Sequence, residues 1–581
     1  MPSVNSLHRF RCACAFTLGM LALGIITPFV GLPLVAADDR QSAAAGSAPT
    51  SAARSAPAST PVALINQHIR AGWKDFDVTP SAPATDGEWC RRVYLDVVGR
   101  VPSVDELDAF LSDKSSNKDA KLVQRLLADE DEYARNWTTL WTNILIGRSG
   151  GNDRQSRVNR AGMLAYLRKS FQANAPYDRM VHELISAKGN SNPDSPNFNG
   201  AVNFLADNLE EDAVQATAKT SQIFLGVRVQ CTQCHDHPFN KWRQNQFWEM
   251  NSFFRQTVAL RRFGGGRDIA HIDLENQDYQ GSSNKPEEAE VYYELRNGVL
   301  KAAYPVFTDL DGTRTPLDRS GYLEDVDRRT ELAGLVVKSG YLPVAMVNRM
   351  WAHFNGYGLT APFDDLGPHN PSTHPDLLQG LADEFKTNGY DIKELIRWIT
   401  LSDPYRLSSR FNTANENDDP STGNPPVFSR FYPRQMQAEQ LYESLLVATE
   451  ADKTRGDFQQ QEEAKRRWLG QFVIAFGTDE NDETTTFDGT IPQILMMMNG
   501  DLIKRATSVE EGGYLHRVAN EPKKSPTEKI QLLFKAALAR EATKAERQSA
   551  NMTLAGRTNI TEALQDVWWV LLNSNEFILN H

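Results

Sequence analysis

The chain has 581 residues, which is too long for one ordinary hydrophobic core, so the length predicts two or more domains. Hydrophobic residues make up 40% of the chain and charged residues 23%, a balance that is typical of soluble globular proteins. The formal net charge of -12 argues against nucleic acid as a partner.

Residues 1–37 have the pattern of a cleaved signal peptide. A basic start is followed by an apolar run over 15–35 and by Val35-Ala36-Ala37, a small-residue cleavage site. The alternative is an uncleaved anchor, because the run is long enough to span a bilayer. Two prolines within the run and the Ala-Ala-Asp exit favour cleavage. We therefore expect export to the periplasm or cell envelope, with no membrane span after cleavage.

Residues 38–61 are rich in Ala, Ser and Pro and predict a disordered linker. Residues 62–258 are dominated by helical periodicity. Ser103 and Glu106 form a capping box at the start of one helix. The aromatic stripe of Trp137 and Trp141 marks the buried face of another. Further helices are predicted over 163–171, 179–185, 214–229 and 244–254.

Residues 259–325 predict a small β-rich insertion. Asn297-Gly298 is a hairpin turn between strands over 290–295 and 299–307. Helical periodicity returns over 326–581 and is interrupted by a polar stretch over 451–488. Helices are predicted over 342–353, 375–385, 392–399, 435–447, 530–540 and 563–572. The expected fold is therefore mainly α, with two helical domains and a small β-rich insertion between them.

Three cysteines remain after signal cleavage: Cys90, Cys231 and Cys234. They are too few to form a disulfide framework in an exported protein of this size. Cys231, Cys234 and His235 have the CxxCH spacing of covalent haem attachment, in which two thiols bond the haem vinyl groups and the adjacent imidazole binds the iron. The opposite axial ligand is undetermined, with Met250, His182, His271, Met346 and Met350 as candidates.

The same segment allows two other interpretations. Zinc could be held by Cys231, Cys234 and His237 together with a distant fourth ligand. Alternatively, the two cysteines could form a disulfide or a redox dithiol, with no cofactor at all. The residues alone leave haem c, zinc and a disulfide open.

A second cluster lies in the later helical region. Asp364, Asp365, His369 and His374 place carboxylates and imidazoles close together, as a metal site or acid–base catalysis requires. The structural alternative is that Asp365 and His369 brace a loop while Thr373 caps the helix that begins at Pro375.

Long segments of the chain resemble two known domains. The segment 224–242, with Cys231, Cys234, His235 and His237, resembles the planctomycete cytochrome-C-like domain of the second type. Residues 91–96 resemble the opening of that domain. The segments 347–351, 401–409 and 572–581, together with Asp364-Asp365 and His374-Pro375, resemble the planctomycete-specific domain that habitually follows it.

The resemblance implies an exported protein whose two domains have no established function. It carries over seven motif positions, which are Cys231, Cys234, His235, His237, Pro238, Phe239 and Trp242. It also implies that Cys90 is a small buried residue. Three hypotheses follow: a haem-c redox or electron-transfer component, a structural or substrate-binding envelope protein with a disulfide or zinc staple, and a hydrolase using Asp364, Asp365, His369 and His374. Other envelope or redox proteins are the expected partners.

Overall fold

The computed structural model describes residues 60–151, 155–265, 267–476, 490–557 and 559–581. The predicted signal peptide and nearly all of the predicted linker lie outside these residues. No helix in the described part of the chain is long and apolar enough to cross a membrane.

Helices make up most of the structure, as the hydrophobic periodicity predicts. The α-helices are α1 (Pro61–Asp75), α2 (Asp86–Val98), α3 (Val104–Ser112), α4 (Lys118–Ala128), α5 (Glu130–Ile146), α6 (Arg160–Gln172), α7 (Tyr177–Ser186), α8 (Asn203–Ala206), α9 (Glu210–Thr220), α10 (Gln244–Asn251), α11 (Arg328–Lys338), α12 (Tyr341–Asn355), α13 (Pro375–Thr387), α14 (Ile392–Thr400), α15 (Asp403–Arg406), α16 (Ala438–Thr449), α17 (Phe458–Phe476), α18 (Ile491–Asn499), α19 (Asp501–Ala506), α20 (Tyr514–Ala519), α21 (Pro526–Leu538), α22 (Lys544–Ala555), α23 (Ile560–Leu572) and α24 (Asn575–Ile578).

The strands form small, separate antiparallel sheets. They are β1 (Gly189–Asn190), β2 (Thr257–Phe263), β3 (Ile269–Asn276), β4 (Val291–Glu294), β5 (Leu300–Ala303), β6 (Val306–Thr308), β7 (Arg314–Pro316), β8 (Arg434–Gln435) and β9 (Leu579–Asn580). Most of this β structure falls in the predicted insertion, which confirms the mainly α class with small β elements.

The predicted capping box of Ser103 and Glu106 is confirmed, and a second helix start has a capping box as well. Ser103 and Glu106 form the capping box of α3, and Ser525 with Glu528 forms that of α21. The aromatic stripe of α5 is core, since Trp137 and Trp141 are both buried. Local sequence chemistry therefore fixes these elements before any tertiary contact is considered.

Three local predictions need correction. The helix expected over 214–229 ends at Leu225, because Gly226 adopts a left-handed φ of 66°. The second strand of the predicted hairpin ends at Ala303, and the following residues pair in a separate hairpin, β6–β7. The polar stretch over 451–488 contains α17, whose sparse apolar residues Trp468, Phe472 and Phe476 still bury one face. The rest of that stretch, 477–488, lies outside the described residues.

Two hydrophobic cores organise the described chain, and their division differs from the order of the sequence. The first core combines helices from before and after the β-rich insertion, with members from Ile65 to Tyr432 and, further along the chain, Ala539. The second core is built on α16 to α24. Helix α2 is buried against both, since Val93 and Val97 belong to the first core and Leu95 to the second. The two helical regions of the sequence are thus packed together.

A buried polar network, here called the Asp96 clamp, ties α2 to later parts of the chain. Asp96 accepts hydrogen bonds from the Tyr405 hydroxyl at 2.7 Å and the Asn580 amide at 2.7 Å, and it pairs with Arg434. Arg91 donates to the carbonyl oxygens of Phe577 and Leu579, at 2.7 and 3.0 Å. Arg92 donates to the carbonyl oxygens of Leu407 and His581, at 2.9 and 3.2 Å. These contacts join segments more than 300 residues apart.

Candidate functional site

The chain enters the candidate site through an irregular turn. A π-helical turn over Ser221–Leu225 extends α9 and ends at Gly226, whose carbonyl oxygen accepts a hydrogen bond from the Leu366 amide at 2.7 Å. A Cβ at position 226 would lie 3.0 Å from Ala345 and 3.1 Å from Leu366. The left-handed glycine therefore allows the close approach of two segments that are distant in sequence.

Cys231 and Cys234 lie on a surface loop, here called the Cys–His loop (residues 230–243). Both thiols are free and exposed, while Thr232 between them is buried and donates its hydroxyl proton to the Val229 carbonyl oxygen at 2.5 Å. The turn over Gln230–Gln233 is a short 3₁₀ helix. The two sulfur atoms are thus presented to solvent on a turn that is fixed from below by the intervening threonine.

His235 is held in a defined tautomer. Its Nδ1 atom lies 2.7 Å from the carbonyl oxygen of Asp236. Because a carbonyl oxygen can only accept, Nδ1 must carry the proton, and the lone pair of the neutral ring is on Nε2. This is the arrangement in which an imidazole binds a metal through Nε2 while its other nitrogen donates to the backbone.

His237 has the opposite arrangement. Its Nδ1 atom accepts the backbone N–H groups of Asn240, at 2.8 Å, and Phe239, at 3.2 Å. The proton of the neutral ring is therefore on Nε2, which leaves no lone pair there for a metal. Burial lowers the pKa of His237, which keeps the ring neutral. His237 shapes the turn through its hydrogen bonds, and its geometry does not suit the predicted zinc site.

Residues of helix α10 form hydrogen bonds to the Cys–His loop on both sides of His235. The Asp236 carboxylate accepts the backbone N–H of Gln244 at 2.9 Å, at the start of α10. The carbonyl oxygen of Gln233 accepts hydrogen bonds from the Gln244 side chain at 3.2 Å and from the Trp248 indole at 3.1 Å. Gln244 is buried, so these contacts are shielded from water and orient the peptide groups that flank His235.

The second predicted cluster forms a loop of its own, here called the Asp–His loop (residues 364–370). Asp364 is buried and accepts hydrogen bonds from Gln222 at 2.7 Å and Arg228 at 2.9 Å. Both partners come from the segment that leads into the Cys–His loop. Asp364 is therefore fully engaged as an anchor and is not placed to act as a free acid or base.

Asp365 and His369 form a pair on the same loop. The His369 Nε2 atom lies 3.1 Å from the Asp365 carboxylate, and its Nδ1 atom is buried with no hydrogen-bond partner. Such a pair can orient a histidine ring, as a carboxylate does in acid–base sites.

Partial burial raises the pKa of the Cys231 thiol and the Asp365 carboxylate raises it further, so this cysteine is not activated as a thiolate.

The two loops meet at the surface. The Asn240 side chain donates to the Leu366 carbonyl oxygen at 3.1 Å, and the rings of His237 and His369 lie 5.5 Å apart between centroids. A Cβ at Gly367 would lie only 2.6 Å from the Asn240 side-chain nitrogen. The structure thus joins two sequence motifs more than 120 residues apart into one continuous site.

His374 lies elsewhere. It is buried against Phe428, with their ring centroids 5.8 Å apart, and burial lowers its pKa to about 4. Its ring also occupies the space beside Gly72, where a Cβ would lie 2.3 Å from Nε2. Thr373 does not cap α13 as predicted, because its hydroxyl instead lies 2.9 Å from the His374 Nδ1 atom. His374 is a core residue and does not join Asp365 and His369.

Within the described residues, no group of three or more His, Cys, Asp and Glu side chains is arranged to hold a metal ion. Met250, Met346 and Met350, which were candidates for the second axial ligand of a haem iron, are all buried in the first core. The groups whose chemistry fits haem c are the two exposed thiols, which would bond the vinyl groups, and the Nε2 atom of His235, which would bind the iron.

Some residues of the site received no role from the sequence. Asn240 connects the two loops, whereas Gln222 and Arg228 connect the Asp–His loop to the segment before the Cys–His loop. The Phe239 side chain is 74% exposed beside His237. Arg228, Phe239 and Asn240 lie inside the segment that carries the resemblance, which was the one available signal. Their contacts depend on a partner loop more than 120 residues away, and the spacing within the segment does not encode it.

The fold and site define a mainly α protein in which a CxxCH loop and an Asp–His loop share one surface. Two family models match the chain: PSCyt2, a protein of unknown function (DUF1549), over residues 64–259, and PSD1, a protein of unknown function (DUF1553), over residues 328–554. The chain thus contains a match to each of these two domains, in the order that the resemblance predicts, which confirms the resemblance. No curated protein and no solved structure matches it.

Proposed function

We propose that the Cys–His loop attaches haem c covalently through Cys231 and Cys234, and that the chain is an exported redox or electron-transfer component. The hydrogen bond from His235 Nδ1 to the Asp236 carbonyl oxygen carries this proposal. It leaves Nε2 as the metal-binding nitrogen of the histidine that directly follows the two thiols.

Covalent haem supplies a one-electron carrier. The protein provides the two thiols and the oriented His235 imidazole, while Asp236, Gln244 and Trp248 keep the loop in place. The raised pKa of Cys231 keeps that sulfur protonated at neutral pH, which suits a thiol that is modified once rather than one that acts as a nucleophile in turnover.

The zinc alternative is weaker in this geometry. It requires His237 as a ligand, and both backbone N–H groups that point at its Nδ1 atom fix the proton on Nε2. Binding zinc through either nitrogen would break these contacts or require a charged imidazolate. The disulfide alternative leaves the tautomer of His235 without a role.

The hydrolase alternative keeps only part of its residue set. Asp364 is held by Arg228 and Gln222, and His374 is buried in the core, so Asp365 and His369 are what remains of the predicted four. The Nδ1 atom of His369 is buried away from solvent, and the neighbouring thiol is not activated. The Cys231 thiol therefore does not supply this pair with an activated nucleophile.

The test is to express the full chain together with haem-attachment machinery and to record its visible spectrum. We expect a Soret band at about 410 nm and haem-linked peroxidase staining that survives denaturation. His235→Gln should alter the iron ligation and shift the spectrum, whereas the matched His237→Gln variant should keep the wild-type spectrum. A colourless chain would reject the proposal. Stoichiometric zinc in the wild type that is absent from Cys231→Ser would instead support a zinc site.

A further inference from the structure

A polar groove of about 510 Å³ begins directly beside the Cys–His loop. Its wall includes Asp236 and Asn240 from the loop, Lys241 and Arg243 at the end of the loop, and Arg314 from β7. Three cations and one carboxylate thus face the groove, on a chain whose formal net charge is -12. The groove therefore carries a positive net charge, whereas the chain as a whole is negatively charged.

Two of the three cations of the groove have no paired carboxylate among the described residues. Lys241 and Arg243 are exposed, and neither has a carboxylate within 4 Å in the described part of the chain. Arg314 pairs with Glu249 at 2.5 Å, which holds it at the rim. The single acid, Asp236, accepts the Gln244 backbone N–H at the start of α10. Two uncompensated cations therefore remain available to a ligand.

The chemistry of these side chains defines the class of ligand. An arginine guanidinium presents paired N–H donors that match the two oxygens of an oxyanion, and a lysine ammonium adds a point charge. The groove volume falls within the range of about 300–1,000 Å³ that is common for small-molecule sites. We propose that Lys241 and Arg243, with Arg314 at the rim, bind an oxyanionic group such as a carboxylate, sulfate or phosphate.

Such a group can come from two sources. Haem carries two propionate carboxylates, and a haem on Cys231 and Cys234 would be attached next to this groove. The other source is a separate small anionic ligand. The first source rests on the proposed function, whereas anion binding by the groove does not.

The first experiment measures sulfate binding to the full chain without haem, by isothermal titration at constant ionic strength. The Lys241→Gln/Arg243→Gln variant should bind sulfate about tenfold more weakly than the wild type. The control is Lys285→Gln/Arg296→Gln, which removes two exposed cations from the β-rich insertion outside the groove and should leave binding unchanged. Equal affinities in the two variants would overturn the proposal.

The second experiment separates the two sources by repeating the titration on the haem-loaded chain. Loss of sulfate binding on haem loading identifies the propionates as the occupant. Unchanged binding identifies a separate anionic ligand. A chain that never acquires haem rejects the proposed function, and the haem-free titration then still decides whether the groove binds anions.

Discussion

The Asp96 clamp and the Cys–His loop both contain residues from segments that carry the family resemblance, but the α2 side chains of the clamp are buried and the cysteine side chains of the loop are exposed. In the clamp, Arg91, Arg92 and Asp96 are buried and their polar groups contact protein atoms. In the loop, Cys231 and Cys234 are exposed and their thiols are free. A long motif therefore does not by itself mark a reaction site.

The difference follows from where each polar group finds its partners. A buried charge needs several hydrogen bonds to offset its desolvation, so the clamp residues are positioned by segments that are far apart in sequence. Burial lowers the pKa values of Arg91 and Arg92 to about 10, and both guanidinium groups stay charged at neutral pH. The exposed thiols of the Cys–His loop need no protein partners to offset desolvation, so they remain available to a ligand.

The largest expected effect on stability is that of Asp96→Ala. The variant leaves the Arg434 guanidinium, the Tyr405 hydroxyl and the Asn580 amide without their shared acceptor, and we expect a loss of about 3–5 kcal/mol in the free energy of unfolding. Urea unfolding followed by circular dichroism measures it. Asp383→Ala, on the exposed face of α13, is the matched control and should change stability by less than about 0.5 kcal/mol. A wild-type midpoint for Asp96→Ala would refute the role of the clamp.

Acid should destabilise the fold through His374. Burial, assisted by the nearby His68, lowers the pKa of His374 to about 4, against about 6.5 for an unfolded histidine. Between these values the unfolded chain binds more protons, so stability falls as the pH falls from about 6.5 towards 4. The contribution of His374 should reach roughly 2 kcal/mol by pH 4.5.

The measurement compares urea midpoints at pH 7 and pH 4.5 in the wild type and in His374→Gln. The variant should lose less stability over this interval, by the amount assigned to His374. Equal losses in both proteins would show that His374 is not the source, and would direct attention to His353, whose pKa burial also lowers to about 4.

Gly367→Ala should loosen the junction of the two loops. The added methyl group would lie 2.6 Å from the Asn240 side-chain nitrogen and 2.8 Å from the His369 Nδ1 atom, so the hydrogen bond from Asn240 to Leu366 should break. We expect a loss of about 1 kcal/mol and faster hydrogen exchange over 230–243. Gly334→Ala on α11 is the matched control, since a Cβ there meets nothing within 4 Å, and should be neutral or slightly stabilising. If residues 230–243 exchanged at the wild-type rate in Gly367→Ala, the proposed contact between the two loops would be contradicted.

The sequence predicts local structure and individual motifs well, because capping boxes and helical faces are written in neighbouring residues. Ser103 with Glu106 and the stripe of Trp137 and Trp141 are examples. The end of the helix before the Cys–His loop was predicted too late because the left-handed Gly226 is stabilised by Leu366, a contact over 140 residues. The helix α17 was missed because its apolar residues are sparse and most of its surface is polar.

The site itself divides in the same way. The thiols and His235 are recognisable from spacing, yet the tautomers of His235 and His237 depend on backbone geometry that spacing does not specify. The four residues of the second cluster are close in sequence, but only Asp365 and His369 pair, while His374 is drawn into the core by Phe428. Proximity in sequence is therefore a weaker guide than the contacts each side chain can satisfy.

The smallest effect on stability is expected from Cys231→Ser, and the same substitution at Cys90 sharpens the comparison. Cys231 is exposed, so the serine hydroxyl is solvated and the free energy of unfolding should change by less than about 0.5 kcal/mol. Under the proposed function the yield of covalently attached haem should fall, because one of the two thioether bonds cannot form. Cys90 is buried in the first core, where an unsatisfied hydroxyl should cost about 1–3 kcal/mol, and under the proposed function the yield of attached haem should not change. Urea unfolding and haem staining of both variants measure the two effects. If either variant lost both stability and haem, the separation between a buried structural region and an exposed chemical one would fail, because the two would then be energetically coupled across the first core.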